Sequence, residues 1–173
     1  MAEGDNRINL DKLAILIVDM QPSFLESIGA IERKRLIRAH EEILIACVRR
    51  DYPVAVLEYA GRGRTHKNLR SLIHQIPRFE FFKKVFDNGF TNPHLLEKFN
   101  EWGTSEICIT GINASFCVKS TASSAISYGK RIITARELVE NQASEYQRFK
   151  EDLPWFKEFG LYFPDYQSLK DRI

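Results

Sequence analysis

The chain has 173 residues, of which 44% are hydrophobic and 28% charged, the balance of an ordinary globular protein and not of a disordered or fibrous one. Its 25 basic and 23 acidic side chains leave a net charge of +2, too even to draw nucleic acid or an anionic membrane by bulk electrostatics. No apolar run approaches the ~20 residues of a membrane helix, and Met1-Ala2-Glu3-Gly4-Asp5 lacks the basic and apolar regions of a signal peptide, so one cytoplasmic domain spanning 1–173 is expected.

In chain order, residues 13–18 form an unbroken apolar run that ends at Asp19. A run without alternation predicts a strand covered on both faces, as parallel strands are. Residues 31–50 place Leu36, Ile37, Ile43, Leu44 and Cys47 among charges at helical spacing. Residues 53–57, 79–85 and 107–110 predict three more strands, and Ile132 and Ile133 lie in a fifth. Between them, 93–102 and 116–128 read as helices, with Pro93 opening the first and Gly103 and Gly129 closing the two. Strands alternating with helices predict an α/β domain with a mostly parallel sheet. The glycine-bearing stretch 61–67 reads as a loop, and no repeat or linker is visible.

Ligands in such sheets gather beyond the carboxyl ends of the strands. That rule brings Asp19, after the first strand, and Cys117, after the fourth, to one edge. Cys117 is predicted at the start of a helix that follows a strand broken by Gly111. Unpaired N–H groups and the helix dipole favour a thiolate there. None of the three cysteines forms a CxxC or CxxH pattern, so free thiols are expected. Cys47 and Cys108 read as small buried hydrophobes within a helix and a strand.

Three blocks carry a resemblance to a known family. They are Leu16-Ile17-Val18-Asp19-Met20-Gln21 with Phe24; Lys84-Val85-Phe86-Asp87-Asn88-Gly89-Phe90; and Gly111-Ile112-Asn113-Ala114-Ser115-Phe116-Cys117-Val118 with Thr121, Ala122 and Ala125. In this order and spacing the chain resembles the isochorismatase-like cysteine hydrolases, and the interval from Phe90 to Cys117 selects Lys84 over Lys83. The resemblance implies a three-layer α/β/α fold, an Asp19–Lys84–Cys117 catalytic triad, and a cis peptide before Asn113 that turns the Asn113 and Cys117 N–H groups toward one oxyanion. It also implies that subunits of like sequence associate. A free cysteine is only a few per cent thiolate at neutral pH, so the chemistry needs a base or a neighbouring cation. Asp19 would take the thiol proton, and Lys84 would hold the carboxylate and stabilise the sulfur.

The family includes enzymes that act on a vinyl ether without a cysteine nucleophile, so membership alone leaves the bond open. Retention of Cys117 favours a small-molecule amide, cleaved through a thioester without a cofactor. Glu58-Tyr59-Ala60-Gly61 replaces the Asp-x-His metal site of nicotinamidases, and His40, His66, His74 and His94 lack close ligand spacing, so no metal is expected. A thiol redox protein is disfavoured by the lack of a resolving cysteine, and a binding protein by the intact triad. Arg62, Arg64, Lys67 and Arg70 read as a solvated basic loop. Trp155, Phe156, Phe159, Tyr162, Phe163 and Tyr166 fit core packing or a subunit interface equally.

Overall fold

The computed structural model describes residues 7–173. The first strand, β1 (Leu13–Val18), is buried at every position. Its side chains alternate between two cores, as a pleated strand dictates: Leu13, Ile15 and Ile17 enter one, Ala14, Leu16 and Val18 the other. The unbroken apolar run is thus the imprint of two helical layers. A short α1 (Pro22–Leu25) and a long α2 (Ala30–Arg50) follow, then β2 (Val54–Tyr59), α3 (Lys67–Ile73) and β3 (Phe79–Lys84). The chain continues through α4 (Pro93–Glu101), β4 (Glu106–Ile112), α5 (Lys119–Ser127), β5 (Arg131–Ala135), β6 (Val139–Glu140), α6 (Tyr146–Phe159), β7 (Leu161–Phe163) and α7 (Tyr166–Lys170).

The seven strands form one sheet in the order β3-β2-β1-β4-β5-β7, with β6 pairing the far end of β4. Every one of these pairings is parallel. Leu36, Ile43 and Leu44 of α2, Leu69 and Ile73 of α3 and Leu169 of α7 close one face. Leu95 and Phe99 of α4, Ala122 and Ala125 of α5 and Phe149 and Phe156 of α6 close the other. This is the three-layer α/β/α arrangement, with a mostly parallel sheet as expected. The chain leaves β1 toward β2 and β3 on one side and returns to β4 on the other, so the carboxyl ends of β1 and β4 flank the topological switch point.

Several expectations need correction. Gly111 does not break the fourth strand, which runs on to Ile112. Gly111 is required for a different reason: its φ of 121° suits only glycine, and a Cβ there would stand 2.0 Å from the Val18 carbonyl oxygen. The predicted helix at 116–128 is a π-helical turn, Ala114–Val118, followed by α5. The basic stretch is only partly a loop, because α3 begins at Lys67. In the aromatic tail, Phe156, Phe163 and Tyr166 are buried in the cores, which favours packing for those three, whereas Phe159 is exposed.

Candidate active site

Asp19 is the first residue beyond β1, and it adopts a left-handed φ of 52°. Such a backbone is uncommon outside glycine, though aspartate tolerates it better than most residues. The tertiary frame holds it there: its N–H donates to the Leu57 carbonyl at 3.0 Å, and its carbonyl accepts from the Gln21 N–H at 2.7 Å. Gln21 in turn clamps the end of β2. Its Oε1 accepts from the Tyr59 N–H at 2.8 Å, while its Nε2 donates to the carbonyls of Tyr59 at 3.0 Å and Gly63 at 2.6 Å. The Asp-x-Gln motif therefore couples the carboxylate to the strand and loop beside it.

Lys84 ends β3, two strands away from β1. Adjacent strands lie ~4.8 Å apart, so only a long side chain can bridge that gap. The Lys84 side chain does so by passing over the Tyr59 ring, with Nζ 4.4 Å from its centroid. It reaches Asp19 Oδ2 at 2.8 Å, and both side chains are completely buried. Nζ also donates to the Phe86 carbonyl at 3.2 Å. Lys83, the neighbour passed over by the spacing argument, is exposed. Burial pushes the Asp19 carboxyl above its ordinary range, and the Lys84 ammonium pulls it part of the way back.

Cys117 sits in the π-helical turn and is 4% exposed. The turn is anchored from β6 and the segment after it. The Asn141 Oδ1 accepts from the Ser115 N–H at 2.9 Å, and its Nδ2 donates to Ser115 Oγ at 2.9 Å. The Gln142 N–H donates to Asn113 Oδ1 at 2.9 Å. The Asn113 carbonyl accepts from both Phe116 and Val118 at 3.1 Å. The Ile112–Asn113 peptide is cis, as the resemblance implied.

The thiol itself donates to Asp87 Oδ1 at 3.6 Å. Its pKa is pushed up to about 12 by burial first and by the negative charge of Asp19 next, with Asp87 adding to the rise and Lys84 opposing it. This differs from the thiolate expected at a helix start: two carboxylates and a buried position outweigh one ammonium. These surroundings favour the protonated sulfur. Cys47 and Cys108 are wholly buried, and both thiols are also pushed up by burial.

The structure thus brings Asp19, Lys84 and Cys117 together at the switch point. Cys117 lines a cavity of about 290 Å³ together with Phe24, Tyr59, Arg62, Asp87, Asn113, Phe116 and Gln142, and the Asp19–Lys84 pair lies buried behind it. Sequence reasoning missed Asp87 and Asn141. Asp87 stands inside the second motif block, where an acid three residues beyond the lysine was an available signal. Asn141 carried none, because its role depends on β6 reaching the end of β4.

Glu58, at the position compared with a metal site, is committed to protein partners. Its Oε1 accepts from Thr65 N and Oγ1 at 2.7 and 2.9 Å and from Arg70 at 3.3 Å. Arg70 is therefore no solvated charge, in contrast to the reading of the basic stretch. Arg62 lies 5.6 Å from the Phe24 ring centroid, at the cavity rim. His40 is buried in α2, and burial lowers its pKa to about 4. His94 pairs with Glu97 on the surface, and His74 packs edge-on against Phe79.

Fold and site define an α/β/α protein with a buried carboxylate–ammonium pair beside a cysteine. Residues 13–150 match the isochorismatase domain, and the chain belongs to that family. Streptothricin hydrolase of Streptomyces noursei is 25% identical over 128 residues, 69% of this chain and 51% of that protein. The chain thus spans about half the length of that curated relative. Among solved structures, the MAR1 ribonuclease of Caenorhabditis elegans superposes with a TM-score of 0.78 at 19% identity, covering 94% of this chain and 81% of its own. YcaC of Escherichia coli, described as an octameric hydrolase, gives 0.75 at 18% over 91% and 77%. The nicotinamidase of Staphylococcus aureus gives 0.74 at 19% over 88% and 99%. These structural likenesses concern the fold.

Proposed function

We propose that this isochorismatase-family hydrolase cleaves the C–N bond of small-molecule amides through a thioester on Cys117. The observation that carries the reading is the fully buried Lys84–Asp19 pair at 2.8 Å beside a cysteine that lines a cavity. Burying two charges is expensive, and an ion pair hidden next to a nucleophile is best explained by the work it does there. The names of the streptothricin hydrolase and nicotinamidase relatives support hydrolysis of small molecules.

In the proposed cycle, the thiol proton passes to Asp19 as the sulfur attacks the carbonyl carbon. A thiol held as high as about 12 yields its proton only as the C–S bond forms. Lys84 keeps one carboxylate oxygen paired and leaves Asp19 oriented for the transfer. The backbone N–H groups of Asn113 and Cys117 would receive the oxyanion. The C–N bond then breaks, and the amine leaves with the proton from Asp19. Water attacks the thioester, Asp19 takes a proton from it, the C–S bond breaks, and the sulfur regains its proton with release of the acid.

The test is release of amine or ammonia from a panel of small amides by the wild type and by Cys117→Ser, Asp19→Asn and Lys84→Ala. Turnover by the wild type with a loss of at least a hundredfold in each variant supports the reading. Equal turnover in Cys117→Ser overturns it. We also propose that the chain works as a homo-oligomer, supported by the octameric description of YcaC. Three free, buried thiols support a reducing compartment such as the cytoplasm. No helix among the described residues is long and apolar enough to cross a membrane.

A further inference from the structure

The cavity beside Cys117 contains a charge that the proposed cycle leaves idle. Asp87 lies in the loop after β3 with an exposed side chain, and its Oδ1 accepts the Cys117 thiol proton's hydrogen bond at 3.6 Å. Among the described residues it has no ion-pair partner. Asp19, the other carboxylate at the sulfur, is occupied by Lys84. A free carboxylate next to a nucleophile works against the thiolate that must form, because like charges repel. Its presence there calls for a positive charge supplied from elsewhere.

The surroundings indicate where that charge comes from. Asp87 and Phe116 border both the cavity at Cys117 and a second one of about 440 Å³, which runs beside α5 over Ser120, Ser123 and Ser124 toward Trp155. The one cation lining the second cavity, Lys119, is neutralised by Asp152 at 2.6 Å. The cation at the rim of the first, Arg62, is drawn over the Phe24 ring. Asp87 is therefore the unmatched charge shared by two adjoining, solvent-open hollows.

We infer that Asp87 is a specificity residue for amides that carry a cationic amino group a few bonds from the scissile carbonyl. The ammonium donates to the Asp87 carboxylate while the carbonyl carbon meets Cys117 Sγ. Phe24 and Phe116 in the cavity lining give the alkyl part apolar walls. Seated there, the ammonium cancels the repulsion between Asp87 and the forming thiolate, so the preferred substrate completes the electrostatics of its own attack. The placing of the carbonyl rests on the hydrolase reading above. The charge preference does not.

The experiment measures binding and not turnover, so the two readings fail separately. Cys117 of the intact protein is alkylated with iodoacetamide in the presence of either 4-aminobutanamide or pentanamide, which match in size and differ in charge. The concentration of each that halves the rate is compared for wild type and Asp87→Asn, with circular dichroism confirming that the variant is folded. A charge-assisted hydrogen bond, discounted for an exposed site, gives about a tenfold preference for the cationic amide. That preference should fall to within about twofold in Asp87→Asn and shrink as salt is raised in the wild type. Equal protection by the two amides, no protection by the cationic one, or a preference that survives Asp87→Asn overturns the inference. Absence of hydrolysis of both amides counts against the proposed reaction alone.

Discussion

Replacing Lys84 by Met, Asp19 by Asn, and both together dissects the buried pair. At 2.8 Å the two unit charges attract by about 6 kcal/mol at an effective dielectric of ~20. Each ion has given up several kcal/mol of hydration to be there. Removing one partner leaves the other buried and unmatched, and the expected loss is about 3–5 kcal/mol for either single variant. In Lys84→Met, Asp19 loses the cation that holds its carboxyl down and takes up a proton, which caps the loss on that side. The double variant buries two neutral groups of similar volume and should return to within about 1–2 kcal/mol of the wild type. Urea unfolding at constant m, with a double-mutant cycle, reads the coupling. Stability recovered without amide hydrolysis would identify the pair as kept for chemistry. Losses that simply add, or single variants within about 0.5 kcal/mol of the wild type, would refute the reasoning.

Three further outcomes are expected. His40 binds its proton less readily in the folded state, at about pH 4 against an ordinary 6.5, so the unfolded chain takes up the extra proton between those values. Stability is therefore full above pH 6.5 and falls by up to about 3 kcal/mol as the pH drops to 4; His40→Leu should flatten that slope in urea titrations, and an unchanged slope would exclude His40 as its source. The Cys117 thiol is pushed up to about 12, so its alkylation by iodoacetamide should keep rising through pH 9–10, and a plateau below pH 8 would show a thiolate that the structure does not support. Asn141→Leu removes the anchor of the Ser115 turn and should lower kcat by about ten- to a hundredfold with KM within about threefold; a change in KM alone would place Asn141 outside the positioning of the nucleophile.

Much of the scaffold was legible because its causes are local. The run 13–18 has no alternation because β1 has a core on each side, and α2 shows its apolar stripe because only one face is buried. The meeting of Asp19, Lys84 and Cys117 was legible because each stands at the carboxyl end of a strand or in the turn after it, inside a motif block. What escaped depends on contacts made across the sheet. Residues 67–73 have little apolar surface beyond Leu69, Leu72 and Ile73, and they form α3 because those side chains dock on the core beneath α2. The need for glycine at 111, within a strand that runs on to Ile112, comes from the Val18 carbonyl, which belongs to another strand. The upward pressure on the Cys117 thiol was hidden for the same reason: the helix-start argument counts the turn's own N–H groups, whereas Asp19 and Asp87 arrive from β1 and from the loop after β3.

The central claim is that Cys117 Sγ carries the acyl group during turnover. Rapid acid quench of the enzyme with a substrate amide, followed by intact-mass and peptide analysis, addresses it most directly. The expected result is a mass increase equal to the acyl fragment, confined to the peptide holding Cys117, formed within the first turnover and lost on hydrolysis. Steady turnover with no acyl adduct on that peptide, and with activity retained in Cys117→Ser, would contradict the account.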